Sequence, residues 1–448
     1  MSERNVADLL KSTRRLVHQV GLYPEGHPQT DEAIQLATKS VETFLDGEQE
    51  AVLTIHEEAF FRNRTVVPHA SLEYRGLLQD MQRRGVESIT LAEPVSAADL
   101  YDLAAFIGGT TTDVPADGTV RLNEPYAIDP EMDDTPAARL RGSYGQTLDA
   151  MRFVTSSMIT RGAFELGTVV DAVEGMFEHT MAHPGAALLL STVKSHDEYT
   201  YFHSVNVGIL SLAIGQMVGV DREILVPAAV GAVLHDIGKV AVSPAVLNYP
   251  GRLSEEQWKE ITVHPQEGAL SIMAAGGPGS EIAATVAFEH HARFDGDGYP
   301  AVTRDGRPHI YSRLVQVVDT YDAITARRSY RRAESPHRAL QVLLEGAGNA
   351  WDPELVQAFI RMMGVYPPGS ILVTDTGSTV VVVAPATEDG APLSAMLVRD
   401  DTGAELADPE PIEVPMQRIV SQILPDDAGI DPASLLEAAT ADAAVLAG

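Results

Sequence analysis

Five histidines and two aspartates in the middle of the chain have the residue types that a metal centre needs. They are His203, His235, Asp236, His264, His290, His291 and Asp319. Neutral imidazoles and carboxylates suit iron, manganese, nickel and zinc. The chain has no cysteine, which excludes thiolate zinc sites, iron–sulfur clusters, disulfides and thiol catalysis. Seven nitrogen and oxygen ligands are too many for one ion, so the sequence predicts a pair of divalent cations.

The adjacent pair His235 and Asp236 closes an apolar run in the segment VGAVLHDIGK. Adjacent positions on a helix point about 100° apart, so these two side chains do not chelate one ion from the same face. A carboxylate has two oxygens and can bridge two ions, whereas an imidazole binds only one. Taken alone, the pair is weak evidence and favours an ordinary capped and partly buried His-Asp pair, so its meaning depends on the other candidate ligands.

The elements that must position these residues are predicted to be helices. Residues 144–365 form a series of amphipathic stretches broken by Pro and Gly, which predicts an all-α domain. Residues 1–110 combine helical periodicity with β-rich runs and predict a small α/β domain. This first domain contains no catalytic constellation, so we expect it to have a regulatory or dimerisation role.

The remaining segments differ in composition from both domains. Residues 111–143 are rich in Thr, Asp, Pro and Gly and predict an acidic linker. Residues 366–425 contain the strand-like runs SILVTD and STVVVVAP and predict a small β-rich appendage. Residues 426–448 predict an acidic, Ala-rich tail. The fold class is therefore a multidomain protein, with a central all-α bundle between a small α/β domain and a β-rich appendage.

The charge of the chain limits its partners. Asp and Glu number 63 and Lys and Arg 32, which gives a formal net charge of −31. Such a surface repels nucleic-acid polymers and anionic membranes, so an anionic substrate needs a local positive site. The N-terminus lacks the apolar core of a secretion signal, and we expect no membrane span and a cytoplasmic location. A homodimer, or a signalling partner bound through the N-terminal domain, is compatible with this composition.

Three segments of the helical region, LHDIGK, HHARFDGDGYP and VVDTYDAITARRSYR, resemble the HD-GYP family of the HD phosphohydrolase superfamily. The resemblance extends over residues 144–365, about half of the chain. It implies an HD-type helical bundle around a binuclear or trinuclear metal centre. It also implies hydrolysis of cyclic di-GMP to linear pGpG or GMP, within bacterial second-messenger signalling.

The resemblance also assigns roles to individual residues. The seven histidines and aspartates match the family's metal ligands, and the cofactors implied are two ions of iron or manganese, with nickel or zinc as alternatives. Asp236 and Lys239 are expected to act in catalysis. Lys239, Tyr299, Arg328 and Arg331 are expected to bind the substrate, because Arg forks hold phosphates in a bidentate manner.

Two positions depart from the family pattern. Ala292 stands where a glutamate usually follows the double histidine, and losing a carboxylate that orients ligands lowers metal affinity or rate by about 10- to 100-fold. Tyr199 stands where some members carry a glutamate ligand for a third ion, which favours two ions. Glu198 is one residue away and is expected to point about 100° aside on a helix.

Two other functions remain open from the sequence. One is a non-catalytic module that binds cyclic di-GMP or a protein partner, which Ala292 favours slightly. The other is an HD phosphohydrolase for another nucleotide or cyclic dinucleotide, a reading that the GYP loop at Tyr299 opposes. The complete ligand set favours catalysis over both.

Overall fold

The chain folds into two compact units, Met1–Ala138 and Arg139–Gly448. The computed structural model describes residues 3–56, 58–62, 65–115, 118–124, 135–194, 199–249, 251–301, 307–326, 333–386 and 390–435. All seven predicted metal ligands lie among the described residues of the second unit.

The N-terminal unit contains a five-stranded antiparallel sheet with the strand order β3-β2-β1-β4-β5. Its elements are α1 (Glu3–Leu22), α2 (Pro28–Leu45), β1 (Glu50–His56), β2 (Ala59–Arg62), β3 (Thr65–Val66), α3 (Pro68–Glu73), α4 (Arg75–Arg83), β4 (Ser88–Ala92), α5 (Ala97–Gly108) and β5 (Val120–Leu122). Alternate residues of β1, such as Leu53 and Ile55, join a core with Phe44 of α2 and Leu103 of α5. This alternation is what a strand with one buried face requires.

Two parts of the predicted linker at residues 111–143 form regular secondary structure instead. Strand β5 (Val120–Leu122) pairs with β4 and buries Val120 in the N-terminal core. The first helix of the second unit begins at Pro136. The strand has only three residues, and its flanks are rich in Thr and Asp. Composition therefore predicts a linker here and does not reveal the strand.

The second unit begins with a bundle of helices. They are α6 (Pro136–Arg161), α7 (Gly167–Ala182), α8 (Pro184–Leu190), α9 (Tyr199–Met217), α10 (Arg222–Leu234), α11 (Pro244–Leu247), α12 (Glu255–Ile261), α13 (His264–Ala275), α14 (Ser280–Glu289), α15 (Ile310–Thr325), α16 (Pro336–Gly346) and α17 (Pro353–Met363), with a 3-10 helix at Ile237–Ala241. The helical region between the two strand-containing regions agrees with the predicted fold class.

Helix α9 is the centre of this bundle. Its residues from Phe202 to Gly215 are all buried, and α9 packs against α7, α10 and α15. Helix α10 in turn packs closely on α14, because a Cβ added at Gly231 would lie 2.8 Å from the carbonyl oxygen of Ala283. The absence of a side chain at Gly231 therefore sets how near the ends of α10 and α14 approach each other.

A second antiparallel sheet follows the helices, with the strand order β10-β6-β7-β8-β9. Its strands are β6 (Ile371–Thr374), β7 (Thr379–Ala384), β8 (Leu393–Arg399), β9 (Glu405–Val414) and β10 (Ile419–Ile423). Leu189 of α8 shares a buried cluster with Ile371 and Val381, so this sheet packs on the helical bundle.

The predicted tail at residues 426–448 is only partly outside the fold. Helix α18 (Pro425–Ala428) and a 3-10 helix at Pro432–Leu435 follow β10, and Ala428 and Leu435 join the buried cluster of the second sheet. Residues 426–435 are thus part of the appendage rather than a solvated tail. Residues 436–448 lie outside the described part of the chain.

One stretch in the described part of the chain, Arg222–Ala241, is long and apolar enough to cross a membrane by length and composition, with a mean hydropathy of 1.5. Within the 18-residue window that passes this test, 72% is buried inside the helical unit. His235 and Asp236 lie in the same stretch, and burial around them is what a core helix that presents ligands requires.

Candidate metal centre

Helix ends supply most of the candidate ligands. His235 directly follows α10, His264 is the first residue of α13, and His290 directly follows α14. The other ligands lie beside these ends or within helices: Asp236 and His291 are the next residues along the chain, and His203 and Asp319 lie within α9 and α15. Five helices therefore converge on one buried cluster.

The cluster divides into two groups of donors that share one residue. Asp236, His264, His290 and His291 offer ligand atoms that all lie within 4.8 Å of one another. His203, His235 and Asp236 form a second group by the same criterion. Asp319 adjoins this second group, because its Oδ1 lies 3.1 Å from Nε2 of His203 and 4.0 Å from Nε2 of His235. Nitrogen and oxygen donors at this density fit a site for divalent transition metals.

The carboxylate of Asp236 lies between the two groups. Its Oδ2 is 3.3 Å from Nε2 of His235, and its Oδ1 is 3.4 Å from Nε2 of His264 and 3.8 Å from Nε2 of His290. Oδ1 is buried and accepts no hydrogen bond from any described residue. A buried carboxylate oxygen without a donor is costly unless a cation completes it, so the residues present fit a bound metal.

Three of the imidazoles are oriented by their own segment of backbone. Nδ1 of His235 donates to the carbonyl of Ala232, Nδ1 of His264 to that of Ile261, and Nδ1 of His290 to that of Ala287, each at 2.7 Å. In every case the acceptor lies three residues earlier. A proton fixed on Nδ1 leaves the lone pair of Nε2 free to face the cluster, which is the tautomer that a metal ligand needs.

His203 is oriented differently, by the side chain of a distant residue. Its Nδ1 donates to Oδ2 of Asp322 at 2.7 Å, and Oδ1 of the fully buried Asp322 accepts from Nζ of Lys194. Neither Asp322 nor Lys194 was predicted. Asp322 follows Asp319 by three residues on α15, a spacing that places both carboxylates on one helix face and was available in the sequence as a signal.

The protonation states of most of the cluster suit a metal centre. Burial lowers the pKa of His264 and of His290, and it lowers the pKa of His291 to about 4. Burial raises the pKa of the Asp236 carboxyl, but Lys239 and the imidazole of His235 outweigh it and hold that pKa well below its usual range. Neutral imidazoles and an ionised carboxylate are the forms that bind metals.

His203 is the exception among the imidazoles. Burial lowers its pKa, but the hydrogen bonds to Asp319 and Asp322 outweigh burial and raise the pKa of His203 to about 9. The same contact with His203 keeps the pKa of Asp319 low in spite of burial. A positive charge is therefore favoured between these two carboxylates, whether a proton or a metal ion supplies it.

The glycine after the His-Asp pair allows the chain to approach helix α13. A Cβ added at Gly238 would lie 2.0 Å from the carbonyl oxygen of His264 and 2.5 Å from the backbone nitrogen of Gly268. The 3-10 helix therefore lies directly against the first turn of α13. This contact brings Asp236 and His264 together.

The predicted substrate residues are only partly described. The ammonium of Lys239 donates to Oδ2 of Asp236, and the Lys239 side chain is 33% exposed. The ring of Tyr299 lies 4.8 Å from that of His291 between centroids, so the GYP tyrosine borders the cluster. Arg328 and Arg331 lie outside the described residues, as does Glu198.

A glutamine that was not predicted holds the segment of the double histidine. Nε2 of Gln316, on α15, donates to the carbonyl of Glu289 at 2.8 Å and also to the carbonyl of Ala292. These two carbonyls flank His290 and His291 on either side. Gln316 precedes Asp319 by three residues, so one face of α15 carries Gln316, Asp319 and Asp322 in sequence.

Glu289 ties the same segment to the start of α15. Its Oε2 accepts from the backbone nitrogen of His309 at 2.6 Å and from Oγ of Ser312 at 2.8 Å. Ala292, at the position where the family usually has glutamate, is buried and its backbone bridges to Gly298 of the GYP loop. Tyr199, at the position of a third-metal ligand, stacks on His203 with ring centroids 5.5 Å apart.

The sequence of this region is similar to that of known proteins. Residues 188–355 match the family described as an HD domain. The cyclic di-GMP phosphodiesterase PA4108 of Pseudomonas aeruginosa is 33% identical over 221 residues, which are 49% of this chain and 53% of that protein. A cyclic di-GMP phosphodiesterase of Thermotoga maritima is 30% identical over 37% of this chain and 45% of its own length. The 3′3′-cGAMP-specific phosphodiesterase 3 of Vibrio cholerae is 30% identical over 39% and 38%.

Residues 188–355 of the helical unit match an HD domain, and two of the relatives are named cyclic di-GMP phosphodiesterases. The chain spans about half the length of the curated relatives it matches.

Proposed function

We propose that the helical unit binds two divalent cations and hydrolyses the phosphodiester bonds of cyclic di-GMP. The observation that carries this proposal is the position of Asp236, whose carboxylate belongs to both donor groups of the buried cluster. A carboxylate shared by two groups of imidazoles is the arrangement expected of a bridging ligand between two ions. Iron or manganese fits nitrogen and oxygen donors, with nickel or zinc as alternatives.

The names of the relatives support the substrate. Two of the matched proteins are cyclic di-GMP phosphodiesterases, at 33% and 30% identity. The GYP segment at Tyr299 borders the cluster through its contact with His291. Cleavage of one phosphodiester bond gives linear pGpG, and cleavage of the second gives GMP, so we propose both as products.

Hydrolysis adds water across the bond between phosphorus and the ribose 3′-oxygen: phosphorus gains the water oxygen, and the departing 3′-oxygen gains a proton. Two bound divalent cations supply the Lewis acidity that activates the water and offsets the phosphate charge. The residues of the chain hold these cations in place, with Asp236 between the two groups of imidazoles.

Residues outside the cluster are assigned to the substrate phosphates. Among the described residues, Lys239 forms an ion pair with Asp236. Its side chain is partly exposed, and we assign its ammonium to stabilising the negative charge that develops at phosphorus. Arg328 and Arg331 are assigned to the phosphates by the family resemblance alone. Tyr299 is assigned to one wall of the substrate site.

The test is metal analysis combined with turnover on the full chain. Protein prepared anaerobically with iron or manganese is expected to carry about two ions per chain and to convert cyclic di-GMP to pGpG or GMP. His264→Gln is expected to lose metal and activity, whereas His337→Gln, which changes a half-buried histidine on α16, is expected to keep both. A metal content near zero contradicts the site, and a content near three contradicts the assignment of Tyr199.

Two observations favour specific alternatives. Ala292 removes a carboxylate beside the ligands, which favours a module that binds cyclic di-GMP or a protein partner without turnover. A relative at 30% identity is named a 3′3′-cGAMP-specific phosphodiesterase, which favours a different cyclic dinucleotide. Calorimetry and product analysis with both dinucleotides separate these outcomes, since tight binding without product indicates the first and preferential cleavage of 3′3′-cGAMP the second.

The roles of the remaining parts of the chain are proposals of the same kind. We assign the N-terminal unit to regulation or dimerisation, in a homodimer or with a signalling protein, and the protein to the cytoplasm. The acidic net charge of −31 supports the absence of nucleic-acid polymers from its partners.

A further inference from the structure

An exposed tryptophan stands next to the GYP tyrosine. Trp258 is 52% exposed, and its ring meets that of Tyr299 at 5.6 Å between centroids with 73° between the planes. The ring of Tyr299 in turn lies 4.8 Å from that of the candidate ligand His291. An aromatic surface therefore extends outward from the buried cluster, with Trp258 as its outermost described ring.

The helix that carries Trp258 does not place it in a core. Helix α12 (Glu255–Ile261) has no buried residue, and it is fixed at its start by a capping box between Ser254 and Gln257. Six residues beyond Trp258 the chain reaches His264, whose ring lies 6.3 Å from that of Tyr299. The indole is thus held close to the cluster by a short, capped helix, while much of its surface remains open to solvent.

An exposed indole offers a ligand a large π-face and a single N–H donor. Nucleobases are the part of a cyclic dinucleotide that such a face recognises, because every base can stack on an aromatic ring. The phosphates of the same ligand are drawn to the cations and to Lys239 instead. A cyclic dinucleotide with its phosphate at the cluster places its bases farther out. In the same direction the protein presents first the metal ligands and then the aromatic rings of Tyr299 and Trp258.

We propose that Trp258 stacks on a guanine base of the cyclic dinucleotide and thereby determines affinity for a purine-bearing substrate. This inference rests on the proposed function, because it assumes that a phosphodiester lies at the buried cluster. Trp258 contacts the base and not the reacting phosphate, so it is a specificity residue. Its loss acts on substrate affinity and leaves the metal ligands in place.

The experiment compares variants of the metal-loaded full chain with two ligands, cyclic di-GMP and inorganic phosphate. Loss of base stacking in Trp258→Ala is expected to raise the KM for cyclic di-GMP by about ten- to a hundredfold. The inhibition constant of inorganic phosphate, which has no base, is expected to stay within about twofold because phosphate contacts only the metal side. Trp258→Phe keeps an aromatic face and is expected to restore most of the affinity, whereas Trp258→Leu does not.

Intrinsic fluorescence gives a second measurement that does not require turnover. The chain has only two tryptophans, Trp258 and Trp351, and the indole of Trp351 donates to Oγ1 of Thr320 inside the helical unit. Cyclic di-GMP is expected to quench the emission of the parent protein, and this quenching is expected to be lost in Trp258→Phe.

The outcomes separate this inference from the proposed function. An unchanged KM in Trp258→Ala, or quenching that persists in Trp258→Phe, overturns the base contact even if the enzyme is active. Equal weakening of cyclic di-GMP and phosphate also overturns it, because that result means a distorted site. If the parent protein binds cyclic di-GMP with quenching but does not hydrolyse it, the proposed catalysis fails and the base contact stands.

Discussion

The imidazoles of the candidate metal centre are oriented by two different means: His235, His264 and His290 by backbone carbonyls, and His203 by a carboxylate. His264 and His290, in one group, are fixed by carbonyls three residues earlier in their own segments, and His235 is fixed in the same way. His203, in the other group, is fixed by Asp322, which is 119 residues away in sequence. A histidine at the end of a helix brings its orienting group with it, whereas one in the middle of a helix depends on a neighbouring helix to supply that group.

The difference follows from where backbone acceptors are available. Carbonyls in the last turn of a helix have no intrahelical partner, so a histidine just beyond the end can donate to one of them. The carbonyls around His203 are committed to hydrogen bonds within α9, which continues to Met217. Asp322 therefore takes their place, and Lys194 compensates the buried charge of that carboxylate.

The largest effect is expected from Asp236→Ala, which removes the residue common to both groups. Without it, each group loses a ligand and the bridge between two ions is gone, so turnover of cyclic di-GMP falls below detection. The fold is expected to persist, because Asp236 lies at a helix end and its removal relieves a buried charge. Elemental analysis, circular dichroism and a turnover assay measure these three properties. Turnover at the parent rate contradicts the two-ion assignment.

A smaller effect is expected from Asp322→Asn, which disturbs only His203, the imidazole that a carboxylate orients. Replacing a carboxylate that orients a ligand lowers metal affinity by about 10- to 100-fold, and a chelator competition titration measures it. The variant also removes one of the two anions that raise the pKa of His203 to about 9, so that pKa is expected to fall in the metal-free protein, as measured by NMR.

The matched control for Asp322→Asn is Asp352→Asn. Asp352 is a second buried aspartate, which caps α17 and pairs with Arg313 away from the cluster. Its substitution is expected to lower the free energy of unfolding without weakening metal binding. Equal metal affinity in Asp322→Asn and the parent protein means that His203 needs no carboxylate to be oriented, and the contrast between His203 and the backbone-held histidines then disappears.

The same contrast explains what could be predicted from the sequence. The segments around His235, His264 and His290 contain both the imidazole and its acceptor, so a local motif describes the whole unit. Asp322 and Lys194 were missed because each is a single residue whose role depends on a contact across more than a hundred positions, 119 and 128 respectively. The three-residue spacing of Gln316, Asp319 and Asp322 was a usable signal for a common helix face.

The domain organisation departs from its prediction in short segments. The helical region was predicted from amphipathic stretches between Pro and Gly, whereas α9 within it is buried on all sides from Phe202 to Gly215. Strand β5 has three residues and is stabilised by pairing with β4, a contact that local composition does not reveal. Ala428 and Leu435 look like part of a solvated tail, and only their packing with residues of the second sheet such as Ile371 and Val381 gives them a buried place.

The smallest effect is expected where a side chain supports the segment of the backbone-held His290 from outside. Gln316 donates to the carbonyls of Glu289 and Ala292, on either side of the double histidine, and so performs the kind of positioning that the missing glutamate at Ala292 was expected to provide. Gln316→Met keeps the length of the side chain and removes both donors. Because one or two neutral hydrogen bonds are lost, metal affinity is expected to fall by about three- to tenfold.

The measurement for Gln316→Met is the same chelator competition, read beside the free energy of unfolding. Gln341→Met, an exposed glutamine on α16, makes the same chemical change away from the cluster and is expected to leave metal affinity unchanged. If Gln316→Met binds metal as tightly as the parent, the carbonyls on either side of the double histidine need no outside support, and Ala292 is then an uncompensated loss. If affinity falls by more than the change in stability explains, Gln316 positions His290 and His291 from α15, and both groups of the centre depend on that one helix.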